Sequence, residues 1–153
     1  ETVREDRAPL DLSTLAASVV DDLTEIGADL RFTADQPVLV LGESLNLRRA
    51  LANLVENAVK FAGAAQVAVA TEGDLAIVTV SDSGPGLPPD ELETVFEPFH
   101  RGEKSRNRDT GGAGLGLAVA RGVARAHGGD VILSNRPGGG LGARLTLPVA
   151  DRD

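Results

Sequence analysis

Apolar side chains at Leu15, Val19, Leu23 and Ile26 recur at helical spacing. They predict a helix over residues 13–26, with Ser13 as its N-cap and Gly27 as its stop. Short apolar runs then predict strands at 30–33 and 37–41. The longest periodic stretch covers 44–62, where Leu47, Leu51, Val55, Ala58 and Ala62 share a stripe that Gly63 closes. Strands at 66–71 and 75–82 follow, joined as a hairpin through Gly73 and Asp74. Residues 83–113 are rich in Gly, Pro and charge, with at most a helical turn near 90–95. A third helix is expected over 115–127, stopped by Gly128 and Gly129. The last hairpin, 130–135 with 143–149, turns at Gly138, Gly139 and Gly140.

Hairpin-joined strands interleaved with three helices predict an α/β two-layer sandwich. Its sheet would be mixed and mostly antiparallel, about five strands wide, with the helices on one face. A chain of 153 residues suits one domain and buries roughly 70% of its unfolded surface. Residues 1–8 are charged and aperiodic and read as a linker stub, leaving a domain over 9–150 and a tail at 151–153. A span of about thirty residues without regular structure is uncommon in a compact domain and is usually functional. Glycines at both ends of 83–113 give it the hinges of a lid.

Composition narrows the chemistry. With no Cys, disulfide frameworks, cysteine zinc sites and thiol catalysis are excluded. No Trp or Tyr and four Phe argue against stacking on single-stranded nucleic acid. A net charge of -8 argues against nucleic-acid and anionic-membrane partners. That charge is uneven: residues 1–30 carry eight acidic side chains against Arg4 and Arg7, whereas 97–109 carry four basic against three acidic. The latter stretch suits one anionic ligand, or is a solvated loop. No apolar run approaches the roughly 18 residues of a membrane span, and the charged start is unlike a signal peptide. A chain that begins at Glu1 and contains no Met is expected to be a piece of a longer one.

Three stretches carry candidate chemistry. On the long helix, Asn53, Glu56, Asn57 and Lys60 line one stripe opposite the apolar one. The stripe by itself is equally a solvated face. Asp82-Ser-Gly-Pro-Gly86-Leu87 follows a predicted strand, and an Asp there can accept a hydrogen bond from an exocyclic amine while repelling a keto oxygen. A plain Asp-Ser-Gly turn is the alternative. Gly111-Gly-Ala-Gly-Leu-Gly-Leu117 opens the third helix, whose free N–H groups favour phosphate. It is neither a Walker loop nor a dinucleotide fingerprint, because no Lys-Ser/Thr follows and the preceding segment is a loop.

Together with Phe96-Glu-Pro-Phe99, these stretches resemble, in order, the N, G1, F and G2 boxes of one family. It is the catalytic ATP-binding domain of bacterial sensor histidine kinases, in the superfamily of gyrase, Hsp90 and MutL. The resemblance spans about residues 9–150 and implies a Bergerat-type fold with an ATP lid. It further implies that Asn57 ligates Mg²⁺ with Asn53 in support, that Lys60 reaches the phosphates, and that Phe61 lies against adenine where the family usually has Tyr. Asp82 would take the adenine amino group, with Gly84, Gly86 and Leu87 close to the base. Arg101 would steady the terminal phosphates. Gly112, Gly114 and Gly116 would shape the exit of the lid, while Leu115 and Leu117 would donate backbone N–H groups. Such a domain uses ATP and Mg²⁺ and phosphorylates a histidine on a separate helical hairpin of its parent, which then phosphorylates a response regulator. The fragment would be a cytoplasmic monomer and its parent a homodimeric inner-membrane sensor.

His100 precedes Arg101, and His127 ends a helix where capping explains it; neither fits a phosphoacceptor followed by Glu or Asp. The competing reading is an ATPase of the gyrase or Hsp90 type, or an anti-sigma-factor serine kinase. Those proteins carry Glu where Asn53 stands, and an amide is no general base. Glu56 is the remaining candidate base for that reading. A non-catalytic binding module is the third.

Overall fold

The computed structural model describes residues 7–97 and 113–150. In chain order the elements are β1 (Ala8–Asp11), α1 (Leu12–Glu25), β2 (Asp29–Ala34), β3 (Leu39–Gly42), α2 (Ser44–Ala62), β4 (Ala64–Glu72), β5 (Leu75–Ser81), α3 (Ala113–Ala126), β6 (Asp130–Asn135) and β7 (Leu141–Pro148). Two 3-10 turns, Pro89–Glu91 and Thr94–Phe96, follow β5. Five strands form one sheet in the order β2-β4-β5-β7-β6. Only β2 and β4 run parallel; the other neighbours are antiparallel. β1 and β3 form a separate antiparallel pair.

Alternation along the strands puts Val67 and Val69 of β4, Ala76, Val78 and Val80 of β5, and Leu145 and Leu147 of β7 on one buried face. Against it lie Leu12, Ala16 and Val19 of α1, Leu47, Leu51, Leu54 and Val55 of α2, and Leu117, Ala120 and Ala124 of α3. Each fully buried Val or Leu among them contributes about 1.5–3 kcal/mol, and each Ala less. The expected sandwich, with its helices on one face, is therefore what the described residues build.

Local differences have physical causes. Asp11, not Ser13, caps α1: its carboxylate accepts from Ser13 N–H and also from Val38 N–H, both at 3.0 Å. Ser13 lies inside the helix and its hydroxyl donates to Gln36 O. Ile26 leaves the apolar stripe because the helix ends at Glu25; it is 80% exposed. Strand β1 begins within the expected linker, and the Arg7 guanidinium donates to Ala126 O. The strand expected at 37–41 is β3, and it stands outside the main sheet. Its far side meets Val149 by a bridge and Ala150 by the N–H to Leu39 O bond. α2 has its expected bounds, ended by Gly63 at φ +85° with its N–H on Val59 O.

Candidate functional site

On α2, Asn53 and Asn57 are half-buried while Glu56 and Lys60 are exposed. Asn57 Oδ1 is buried and has no hydrogen-bond partner among the described residues. An amide oxygen left this way costs roughly 1–3 kcal/mol, so an ordered water or a ligand is the expected compensation. Lys60 stands in the last turn of α2, where the helix dipole favours a cation. Phe61 is half-buried at the same end.

Asp82 follows β5 on the core side of the sheet and is 7% exposed. Its N–H donates to Leu141 O at 3.0 Å. Its Oδ1 accepts from Gly84 N–H at 2.9 Å and Leu141 N–H at 3.1 Å. Oδ2 has no protein partner among the described residues and is the acceptor left for a ligand. Gly84 and Gly86 answer to close approach, but to the protein's own atoms. A Cβ on Gly84 would lie 2.9 Å from Ala62 Cβ, and one on Gly86, at φ +76°, 2.4 Å from Asn135 Oδ1. Leu87 is held through its backbone: its N–H donates to Asn135 Oδ1 at 2.9 Å and its carbonyl accepts from Asn135 Nδ2 at 2.8 Å.

The β6–β7 hairpin thus shapes the Asp82 loop, a role the sequence reading missed. Arg136 Nη1 donates to Asp82 O at 2.6 Å. Gly140, at φ +101°, runs so close that a Cβ would stand 2.0 Å from Asp82 O. The glycine run was legible as a turn; the contact of Gly140 with Asp82, 58 positions earlier, was not.

The first turns of α3 face α2. A Cβ on Gly116 would lie 3.6 Å from Asn53 Cγ, so the two helices nearly touch there. With the helix starting at Ala113, the free N–H groups belong to residues 113–115, Gly114 and Leu115 among them. Leu117 is the fifth helical residue, so its N–H belongs to the helix ladder and is not the phosphate donor expected. Its contribution is a buried side chain. Leu115 is 44% exposed. Arg101 and Gly112, with Pro98, Phe99 and His100, lie outside the described residues. His127 does more than cap: Nε2 accepts from Glu43 N–H at 3.1 Å, which places the proton on Nδ1, 2.8 Å from Val123 O. It joins the end of α3 to the start of α2.

Asn57, Asp82, Leu54, Leu117, Leu133 and Leu141 line one narrow cavity between the helices and the sheet. Its volume is about 10 Å³, the room of one water. No group of three or more His, Asp or Glu suited to a metal occurs among the described residues. A metal here would rest on few protein atoms, and Mg²⁺ accepts that because it keeps waters and phosphate oxygens. The orphaned Asn57 Oδ1 is the oxygen such a site needs.

Residues 42–151 match the family model described as histidine kinase-, DNA gyrase B-, and HSP90-like ATPase. The chain belongs to this family. Among its relatives, the sensor protein CutS of Streptomyces coelicolor is 41% identical over 94% of this chain and 36% of its own length. The signal transduction histidine-protein kinase BaeS of Escherichia coli is 33% identical over 96% of this chain and 33% of its own. The chain therefore spans about a third of these relatives. A crystal structure of the ATP-binding domain of PrrB from Mycobacterium tuberculosis superposes with a TM-score of 0.77 at 29% identity, covering 95% of this chain and 99% of that one. Full-length ShkA in complex with AMPPNP gives 0.75 at 32% identity, covering 94% and 31%.

Proposed function

We propose that this domain binds Mg·ATP and serves as the catalytic domain of a protein-histidine kinase. The observation that carries the reading is one cavity lined by a buried amide oxygen without a partner, on Asn57, and by a carboxylate with one oxygen to spare, on Asp82. A carboxylate accepts and cannot donate, so Asp82 Oδ2 selects the adenine amino group over a guanine keto oxygen. Asn57, with Asn53 beside it, holds Mg²⁺, which when bound neutralises phosphate charge. Lys60 and Arg101 add positive charge on the phosphate side. Phe61 and Leu87 flank the base, and the free backbone N–H groups of 113–115 face the phosphates.

The acceptor is a histidine on a helical hairpin of the parent chain. Its ring nitrogen forms the new bond to the γ-phosphorus as the bond to the β–γ bridging oxygen breaks, and ADP leaves with that electron pair. The phosphoryl group then passes to a response regulator. The amide at Asn53 favours this over a water-activating ATPase, and exposed Glu56 is left as the residue to check. Calorimetric titration tests the reading: Mg-dependent ATP affinity is expected, with the 153-residue chain unable to phosphorylate itself. ATP affinity indifferent to Mg²⁺, or steady turnover abolished by Glu56→Gln, would contradict it.

A further inference from the structure

Helix α3 buries Leu117, Ala120 and Ala124, and in the same stripe stands Arg121, 8% exposed. A guanidinium removed from water needs partners for its donors. Nη1 and Nη2 donate to Glu93 Oε1 and Oε2 at 2.9 and 2.8 Å. Nε is shared between Asp130 Oδ1 and Val131 O, each at 3.1 Å. The guanidinium carbon stands 3.7 Å from the centroid of the Phe96 ring. One side chain thus ties α3 to the head of β6 and to the turn that ends at Phe96.

The hydrogen bond from Arg121 holds the Glu93 carboxyl below its ordinary range, and the same bond raises Arg121. Yet the Glu93 side chain is 70% exposed, and a pair with one partner in water adds little stability. What a planar, two-point fork supplies is direction: it fixes the rotation of α3 against the turn. That rotation sets where Gly116 meets Asn53 and where Leu117 stands in the cavity that Asn57 also lines. The Asp82 carboxylate, by contrast, takes its hydrogen bonds from Gly84 and from Leu141 of β7, not from α3, which reaches this cavity only through the apolar side chain of Leu117.

From this geometry we infer that Arg121 is a positioning residue for the phosphate side of the nucleotide site, acting through its clamp on Glu93. The inference rests on the Mg·ATP reading above. It separates the two halves of the ligand: loosening the clamp weakens the grip on phosphates and metal and spares the base.

The test titrates the full 153-residue chain with adenosine and with the Mg complex of a non-hydrolysable ATP analogue. Arg121→Gln is expected to weaken the analogue about tenfold while adenosine changes by less than about twofold. Glu93→Gln shifts the ratio the same way by about threefold, and Arg121→Lys falls between wild type and Arg121→Gln, because one ammonium cannot span both carboxylate oxygens. If Arg121→Gln fails to fold, exposed Glu93 decides the matter alone. Affinities for adenosine and analogue that fall together in folded Glu93→Gln, or that both stay put, overturn the inference. Wild type binding neither ligand removes the nucleotide reading and the inference with it; wild type binding both, without the split in the variants, removes the inference alone.

Discussion

At the Asp82 end of the cleft nearly every polar group is already bonded to the protein: Oδ1 has two backbone donors, the N–H and carbonyl have partners, and Leu87 is paired through its backbone to Asn135. At the Asn57 end the amide oxygen is buried and unmatched, and the facing first turn of α3 offers N–H groups outside the helix ladder. The difference teaches how a static structure divides a ligand site. On the proposed reading the base half has its polar groups already set by the protein, with Asp82 Oδ2 left as the acceptor. On the same reading the phosphate half holds the bonding capacity still unspent among the described residues.

Substitutions can break that contrast, beginning with the scaffold. Gly140→Ala must place a methyl 2.0 Å from Asp82 O at a φ of +101°, so it should destabilise the fold by about 3–4 kcal/mol and be read as a lowered denaturant midpoint. Asp82→Asn is next. Its amide oxygen can still take the two backbone donors, which leaves an NH₂ where the second carboxylate oxygen was. ATP affinity should fall about a hundredfold with the fold intact and GTP affinity unharmed. An unchanged ATP-over-GTP preference would remove Asp82 from the site. Asn57→Ala acts on the other half: Mg-dependent ATP affinity should drop about tenfold while the melting temperature holds or rises, because an unmatched buried oxygen has gone. A fall in stability there would show that Asn57 belongs to the scaffold after all.

The smallest expected effect is acid sensitivity. At Asp11 burial raises the carboxyl, but hydrogen bonds from Val38, Thr14 and Ser13 outweigh it and hold the group below its ordinary range. At Asp130 burial likewise raises, and the Arg125 hydrogen bond, the Val131 N–H and the nearby Arg121 charge prevail in lowering it. Groups depressed on folding contribute stability that is complete above the ordinary carboxylate range and is lost as pH falls through the lowered values. The melting temperature should therefore be level down to about pH 5 and decline below about pH 4. Asp11→Asn should flatten part of that decline.

Much of this molecule was legible in advance where a local rule acted alone. α2 had its stripe and its terminal glycine, and Asp82 stood at a strand end. β1 escaped because it has four residues, one of them Pro9, and owes its form to pairing with β3. The Ser13 cap failed because Asp11 reaches both Ser13 and Val38, the latter distant in sequence. Asn135 and Arg136 have no local signature, and Gly140 shows only as part of a turn; all three matter through a loop some fifty residues away. Arg121 did leave a trace: a charge set among Leu117, Ala120 and Ala124 on a helix face that is otherwise apolar.

The most direct measurement is a crystal structure with Mg²⁺ and a non-hydrolysable ATP analogue. The account predicts the adenine amino nitrogen within hydrogen-bond reach of Asp82 Oδ2 and the metal about 2.1 Å from Asn57 Oδ1, a distance set by Mg²⁺ itself. A nucleotide bound elsewhere, or a metal carried by other side chains with Asn57 still unmatched, would contradict it.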